Sequence, residues 1–257
     1  MNQFSSNADA IVLDKPGSIS IKRACVDEIK PNEIAVKVHF SGISSGTERL
    51  LYEGRMPNFP GMGYPLIPGY ETVGVVENFG SNSNFSVGDK VFVPGAKCFR
   101  EYKSLFGGSA SKLVVSSDRV CKIPKDTKEE GTLLALAATA NHIFAKCEIP
   151  ERTLVVGHGT LGRLIAKIIQ LKGGEPIVAE SDLNRRKGNF TYEVLKPDEI
   201  KPMSFESVVD ASGDSNQLNN LINYLHPGGE IVLAGFYDKK LSFDFPQAFI
   251  REAKIRV

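Results

Sequence analysis

Short hydrophobic runs separated by turns fill the first half of the chain. In Ile34–Phe40 the apolar residues at 34, 36, 38 and 40 alternate with Ala35, Lys37 and His39, which predicts a half-buried strand. Similar runs predict further strands at Ala10–Leu13, Ile19–Arg23, Thr72–Phe79, Lys90–Val93, Lys112–Val115 and Arg119–Ile123. Several short strands at this spacing favour a small barrel or a partly open sheet.

One segment interrupts this pattern. Gly54–Gly69 contains four prolines and four glycines, which exclude a regular helix or a central strand. It nevertheless carries large apolar side chains: Met56, Phe59, Met62 and Tyr64. Such a loop either covers the core or forms the wall of a binding site, and the two interpretations stay open here.

The hydrophobic period changes in the second half. Apolar residues at helical spacing predict a helix over about 128–146. Further on, the sequence predicts an apolar strand before Gly157 and an amphipathic helix after Gly162. More strands follow, and this alternation of strands and helices indicates a parallel sheet. These later elements are strands at Pro176–Glu180, Ser207–Ser212, Gly229–Gly235 and Lys254–Val257, a helix at Asn216–Leu225 and a turn at His226–Gly229.

The sequence Gly157-His-Gly159-Thr-Leu161-Gly162 is a GxGxxG motif in the context that dinucleotide binding requires. A strand precedes it, a helix follows it, and Glu180 ends the next strand. Gly157 permits the tight turn, Gly159 admits a pyrophosphate and Gly162 allows the helix to pack closely, with Leu161 in the same turn. Glu180 accepts ribose hydroxyls and repels a 2′-phosphate, which favours NAD over NADP, although Arg185 and Arg186 lie nearby. At His158 we expect the backbone to matter and not the imidazole.

Composition narrows the class of protein. The 257 residues carry 31 basic and 30 acidic side chains and 42% hydrophobic residues, typical of a globular protein. A net charge of +1 gives no reason to expect a nucleic acid or an anionic membrane as partner. No stretch is long enough for a membrane span and no CxxC spacing indicates a zinc finger among Cys25, Cys98, Cys121 and Cys147. We therefore expect a soluble cytoplasmic protein.

A β-barrel half followed by a nucleotide-binding half resembles the medium-chain dehydrogenase/reductase superfamily. Several segments resemble its bacteriochlorophyllide a dehydrogenases more closely: Ser41–Leu51, Gly54–Glu71, Val93–Phe99, Leu105–Ser111, Leu134–Ala140 and Val156–Arg163. The resemblance implies an α/β fold, with a GroES-like barrel domain at 1–126 and a Rossmann domain at 127–257. Family members continue beyond this point and return to the first domain, so we expect that return segment to be missing.

The resemblance also implies an activity. Enzymes of this family oxidise the 3-(1-hydroxyethyl) group of a chlorin or bacteriochlorin to 3-acetyl with NAD, in bacteriochlorophyll a biosynthesis. It implies a tetrapyrrole in contact with Met56, Phe59, Met62 and Tyr64, with Arg49 or Arg55 on its carboxylates, and it is compatible with a homodimer. Thr139 matches a position that packs against nicotinamide in the superfamily.

Zinc-dependent members place a cysteine and a histidine where this chain has Ser44 and Tyr70. Serine and tyrosine are poor zinc ligands, so we predict no metal. Another group must then accept the alcohol proton. Tyr70 and Glu71 are the candidates by position, with Ser44 and Ser45 as relays, and a purely structural turn is the alternative. His39 lies on the polar side of its strand, where we expect it to be exposed.

Two other functions stay open from the sequence. A zinc-free quinone or enone reductase would also lack the zinc ligands, but such enzymes usually choose NADPH, and Glu180 and the Gly54–Glu71 segment argue against it. A catalytically silent nucleotide-binding protein is the other.

Overall fold

A computed structural model describes residues 7–145, 150, 152–237 and 239–257. The chain divides into two compact units, Met1–Ala135 and Leu136–Val257. In the part of the chain so described, no helix is long and apolar enough to cross a membrane. The division between residues 126 and 127 stays a prediction.

The first unit is built from strands. They are β1 Asn7–Lys15, β2 Ser18–Cys25, β3 Glu33–Ser41, β4 Leu66–Ile67, β5 Thr72–Phe79, β6 Lys90–Val93, β7 Lys103–Ser104, β8 Lys112–Ser116 and β9 Cys121–Lys122. They form a four-stranded sheet in the order β2-β1-β4-β7 and a five-stranded sheet in the order β8-β3-β5-β6-β9. All pairs are antiparallel except β4 with β7. The predicted β-rich first half is confirmed.

Three short helical elements accompany these sheets in the described part of the unit: α1 at Thr47–Glu53 and 3-10 turns at Ser117–Arg119 and Glu129–Leu133. Helix α1 ends at Gly54, whose left-handed backbone caps the carbonyls of Leu50 and Leu51. The main core of the unit lies around the fully buried Ile34, Val36 and Leu113. Strand β3 supplies two of these residues, and His39 on the same strand is exposed as expected, but Ala35 is buried and Phe40 is exposed, against the predicted alternation.

The second unit is an α/β domain. Its elements are α2 Leu134–His142, β10 Arg152–Val156, α3 Thr160–Leu171, β11 Glu175–Ala179, α4 Leu183–Arg186, β12 Glu193–Leu195, β13 Phe205–Asp210, α5 Leu218–Tyr224, β14 Leu225–Leu233, α6 Phe245–Ile250 and β15 Lys254–Arg256. The six strands are parallel in the order β12-β11-β10-β13-β14-β15. This is the doubly wound order in which the chain reverses direction beside the first strand. The predicted Rossmann sheet is confirmed.

The helix predicted over 128–146 is wrong in its length. Residues Glu129–Leu133 form a 3-10 turn, α2 ends at His142, and residue 146 lies outside the described residues. The amides of Phe144 and Ala145 bond to carbonyls three residues back, so the chain tightens into a turn. Ile143 and Phe144 are nevertheless buried, and this burial extended the apolar period past the end of the helix.

The predicted turn at His226–Gly229 is also wrong. These residues belong to β14, which pairs with β13 at Leu225 and again from Glu230 onward, with an irregularity between the two pairings. The extra residues are therefore absorbed inside a strand that begins before them. Strand β9 is likewise shorter than the predicted Arg119–Ile123.

Candidate active site

The first candidate region lies in the first unit, where the turn after β3 meets the residue pair before β5. We call it the carboxylate turn; it consists of Ser44, Thr47, Glu48, Tyr70 and Glu71. The two segments are joined by a hydrogen bond of 2.7 Å from the amide of Gly42 to the carbonyl of Glu71. The fold therefore brings together residues that stand more than twenty positions apart in the sequence.

Glu71 is buried in this turn, with 4% of its surface exposed. Its Oε1 atom has no hydrogen-bond partner, which sets it apart from the other buried side-chain atoms of the described chain. A Cβ at position 42 would lie 2.2 Å from Oε2 of Glu71, so only glycine leaves room for this carboxyl group. Burial raises the pKa of Glu71, and the Tyr70 hydroxyl partly opposes this rise.

Glu48 is the acidic residue that our reading of the sequence missed. It lies in the first turn of α1, and its Oε2 accepts a hydrogen bond of 3.0 Å from the amide of Ser44. Burial raises the pKa of Glu48 to about 7, and the charge of Glu71 contributes to the rise. A carboxylate with such a pKa has the basicity that a proton acceptor needs near neutral pH.

The hydroxyl groups of the turn lie close to these acids. The Tyr70 hydroxyl is 3.4 Å from Oγ1 of Thr47, and its ring packs edge-on against Phe106. Burial raises the pKa of Tyr70, while the hydroxyls of Ser44 and Thr47 oppose the rise. The phenol is therefore neutral, and it is suited to relay a proton and not to remove one. Ser44 is half-buried and Ser45 is exposed.

The family's zinc site does not fit this turn. Zinc is held by thiolate, imidazole and carboxylate ligands, and Ser44 and Tyr70 supply none of these. In the ranges that the structure covers, no three His, Cys, Asp or Glu side chains are grouped so that they could hold a metal ion. The absence of zinc stays a prediction for elemental analysis.

The proline-rich loop between Gly54 and Glu71 covers a small core with part of its apolar side chains, and its role as the wall of a binding site stays a prediction. Met56, Met62 and Tyr64 pack against a small core that includes Leu51 and Leu66. The Tyr64 hydroxyl also donates a hydrogen bond to the carbonyl of Leu51. These three side chains therefore cover the core, whereas Phe59 stands 50% exposed and is available to a ligand.

The two arginines proposed as substrate anchors share one acid. Nε of Arg49 lies 2.9 Å from Oε1 of Glu53, and Nη2 of Arg55 lies 2.5 Å from Oε2 of the same residue. Both side chains are largely exposed, so these ion pairs contribute little to stability. A ligand carboxylate would have to compete with Glu53 for either guanidinium.

The second candidate region is the glycine turn of the second unit, Gly157–Gly162, between β10 and α3. Gly157 has a φ of +96°, which side chains rarely adopt. A Cβ at Gly162 would lie 1.9 Å from the carbonyl oxygen of Gly157, so helix and turn are in close contact. A Cβ at Gly159 would meet only a guanidinium nitrogen of Arg185 at 3.9 Å, which leaves open space at the start of α3. These features fit a dinucleotide, and Leu161 is half-buried against the core.

Glu180 follows β11 and is 5% exposed. Its Oε2 accepts a hydrogen bond of 2.7 Å from the amide of His158, and its Oε1 accepts one of 2.8 Å from the amide of Asp182. Its Oε1 also accepts from the Ser181 hydroxyl at 3.4 Å, and its Oε2 lies 3.9 Å from a guanidinium nitrogen of Arg185, so ribose hydroxyls would have to share these oxygens. Glu180 therefore supports the glycine turn, and its role as an acceptor for ribose hydroxyls stays a prediction.

Thr139 and His158 are the two remaining residues of this unit for which the sequence made a prediction. Thr139 lies exposed on α2, and its role beside nicotinamide stays a prediction. The expectation that the His158 side chain is unimportant is wrong, because the imidazole is fully buried and both ring nitrogens are hydrogen-bonded. Only its partners, far along the sequence, reveal this.

Together, the barrel-like unit with its carboxylate turn and the doubly wound unit with its glycine turn define a medium-chain dehydrogenase. Residues 30–125 match the alcohol dehydrogenase GroES-like domain. Acetophenone reductase from Geotrichum candidum, solved in complex with NAD, superposes with a TM-score of 0.85 at 17% identity, over 99% of this chain and 83% of that one.

Two relatives narrow the family. The chain is 43% identical to 2-desacetyl-2-hydroxyethyl bacteriochlorophyllide A dehydrogenase of Cereibacter sphaeroides, over 96% of this chain and 80% of the relative. It is also 43% identical to the enzyme of that name from Rhodobacter capsulatus, over 96% of this chain and 79% of the relative. The chain belongs to the bacteriochlorophyllide a dehydrogenase family.

Proposed function

We propose that this chain oxidises the 3-(1-hydroxyethyl) group of a chlorophyllide or bacteriochlorophyllide to 3-acetyl, with NAD as the hydride acceptor. The observation that carries the proposal is the 43% identity, along 96% of the chain, with two relatives named as hydroxyethyl bacteriochlorophyllide dehydrogenases. The reaction breaks the carbinol C–H and O–H bonds. The hydride passes to the cofactor, the proton passes to a base, and the carbon–oxygen double bond forms.

The carboxylate turn offers the base. We assign the proton acceptor to Glu48, because its pKa of about 7 leaves a substantial ionised fraction at neutral pH. The hydroxyls of Tyr70 and Thr47 lie 3.4 Å apart, and we include them as candidates for the path along which the proton moves towards the carboxylate. Ser44 and Ser45 remain candidates for the same path. Burial also raises the pKa of Glu71, which stays the second candidate for the proton acceptor.

The glycine turn offers the cofactor site. When NAD is bound, it supplies the hydride acceptor. Gly157, Gly159 and Gly162 would receive the pyrophosphate at the start of α3, and Glu180 would accept the adenosine ribose hydroxyls. Thr139 and Leu161 would contact other parts of the dinucleotide. Phe59 would contact the tetrapyrrole face, with Arg49 and Arg55 near its carboxylates.

The decisive experiment incubates the purified chain with NAD and a 3-(1-hydroxyethyl) chlorophyllide. We expect NADH to form together with a red shift of the long-wavelength chlorin band, because the acetyl group extends the conjugation. The matched control is the 3-vinyl analogue, which has no hydroxyl group and should give neither signal. If the protein reduces quinones with NADPH and does not oxidise the hydroxyethyl substrate, it is a reductase and the proposal is wrong. If it turns over neither substrate, a nucleotide-binding protein without catalytic activity is favoured.

We also propose that the enzyme is located in the cytoplasm and that it can form a homodimer. Cell fractionation tests the first statement, and light scattering of the purified protein tests the second.

A further inference from the structure

His158 occupies a variable position of the glycine turn, yet its side chain is the most enclosed in that turn. The residue is 0% exposed. Nδ1 lies 2.8 Å from the carbonyl oxygen of Arg185, and Nε2 lies 2.9 Å from the hydroxyl of Tyr192. Because a carbonyl oxygen only accepts, Nδ1 carries the proton and Nε2 accepts from Tyr192. Burial lowers the pKa of His158, which agrees with this neutral form.

Three side chains enclose the imidazole. The rings of Phe190 and Tyr192 stack on each other, and each meets the imidazole edge-on, with centroids 4.6 and 5.7 Å away. The guanidinium of Arg163 lies 5.4 Å from the centroid of Phe190, and its Nε donates a hydrogen bond of 3.2 Å to the carbonyl of His158. The charged groups facing the imidazole are thus Arg163, Arg185 and Glu180.

The contact with Arg185 links this buried ring to the open side of the glycine turn. The carbonyl of Arg185 is held by His158, and its guanidinium lies 3.9 Å from Oε2 of Glu180. The same guanidinium is the nearest atom to a Cβ placed on Gly159, also at 3.9 Å. The imidazole therefore helps to hold the Arg185 backbone, together with Nη2 of Arg163 at 3.5 Å from the same carbonyl and the Asp182 carboxylate at 3.3 Å from the Arg185 amide.

We propose that His158 is a positioning residue for dinucleotide binding: its Nδ1–H holds the segment carrying Arg185 against the glycine turn, so that the adenosine half of the cofactor meets a preformed site. This inference rests on the proposed binding of NAD. It differs from a general stabilising role because only one of the two ring contacts, the one to Arg185, should matter for binding.

The test compares His158→Asn, His158→Gln and His158→Ala. The amide of asparagine occupies the region of Nδ1 and can donate to the Arg185 carbonyl, whereas the amide of glutamine reaches the region of Nε2 and can bond only to Tyr192. Binding of NAD and of ADP-ribose is measured by titration calorimetry, together with kcat and KM for NAD and the melting temperature. We expect asparagine to stay within about twofold of the wild type, and glutamine and alanine to bind about fivefold or more weakly.

The kinetic constants separate positioning from chemistry. We expect KM for NAD to rise in the glutamine variant while kcat holds, because the ring does not touch the reacting atoms. His226→Ala, at an exposed histidine of the same unit, should change none of these values. If the asparagine and glutamine variants lose affinity equally, or neither loses any, the proposal is overturned, even where the alanine variant fails to fold. A wild-type protein that binds no dinucleotide would instead refute the proposed function.

Discussion

Replacing Glu48 with glutamine removes the proposed proton acceptor while its size and its ability to accept the Ser44 amide are kept. A positioned general base accelerates a reaction by about 100-fold to about 10,000-fold, so we expect kcat/KM of Glu48→Gln to fall within that range. In the wild type, kcat/KM should rise with pH through about 7, where Glu48 ionises. The variant should lack this rise.

The pH dependence of the folding stability gives a second test of Glu48, because stability should fall over the pH range in which activity rises. A rise of the Glu48 pKa from 4.5 to about 7 means that the folded protein holds this proton more tightly than the unfolded chain does. The contribution of Glu48 to the free energy of unfolding is therefore most favourable below pH 4.5, and it is lost as the pH rises towards 7. At about 1.4 kcal/mol per pH unit, this loss is at most about 3 kcal/mol. Glutamine carries no such penalty. At pH 8 the variant should be as stable as the wild type, or more stable, although it is far less active.

The assay follows NADH formation from the hydroxyethyl substrate between about pH 5 and about pH 9, alongside thermal unfolding at the same pH values. Glu77→Gln is the matched control, because Glu77 is a half-buried carboxylate of the same unit that pairs with Lys112 at 3.3 Å. The reasoning fails if Glu48→Gln keeps wild-type kcat/KM at pH 8, or if its pH profile still rises near 7.

Three further predictions address the remaining site residues. Elemental analysis should find less than stoichiometric zinc, and chelation should leave turnover unchanged; one tightly bound equivalent of zinc would contradict our interpretation of Ser44 and Tyr70. Equilibrium titration should show that the wild type binds NAD more tightly than NADP. Glu180→Ala should narrow this difference in affinity, and it should lower the melting temperature because Glu180 also supports the glycine turn. Tighter binding of NADP by the wild type would refute this prediction. Phe59→Ala should lower catalytic efficiency with little change in melting temperature, since the Phe59 side chain is 50% exposed. Tyr64→Ala should instead lower the melting temperature, because Tyr64 packs against the core. Unchanged kinetic constants in the Phe59 variant would exclude contact of Phe59 with the substrate.

Local patterns predicted the parts of the fold that local forces decide. The alternation in β3 and the strand–glycine–helix order around Gly157 each lie within one short segment, and the structure has both elements where the sequence indicates them. The end of α2 was placed too late, because the burial of Ile143 and Phe144 depends on the sheet and not on helical continuity. Periodicity reports which residues are buried, and it cannot tell a helix from the turn that follows it.

The residues missed in the sites share one property: their partners come from distant segments. The pKa of Glu48 depends on burial and on Glu71, which follows 23 positions later. The imidazole of His158 depends on Arg185 and Tyr192 beyond the next strand. The acid in Gly46-Thr47-Glu48 was the one available signal, and without the fold it resembles any acid in the first turn of a helix.

The predicted loss of zinc and the basicity of Glu48 have a common origin. A cation between Ser44 and Tyr70 would favour the ionised forms of neighbouring carboxyl groups and hold their pKa values low. Ser44 and Tyr70 are poor zinc ligands, and burial, with a smaller contribution from Glu71, raises the pKa of Glu48 to about 7. With no zinc in the turn, as we predict, Glu48 keeps the basicity of a proton acceptor suited to neutral pH. The substrate reduces the demand on that acceptor, since positive charge left at the carbinol carbon by the departing hydride is spread over the conjugated macrocycle.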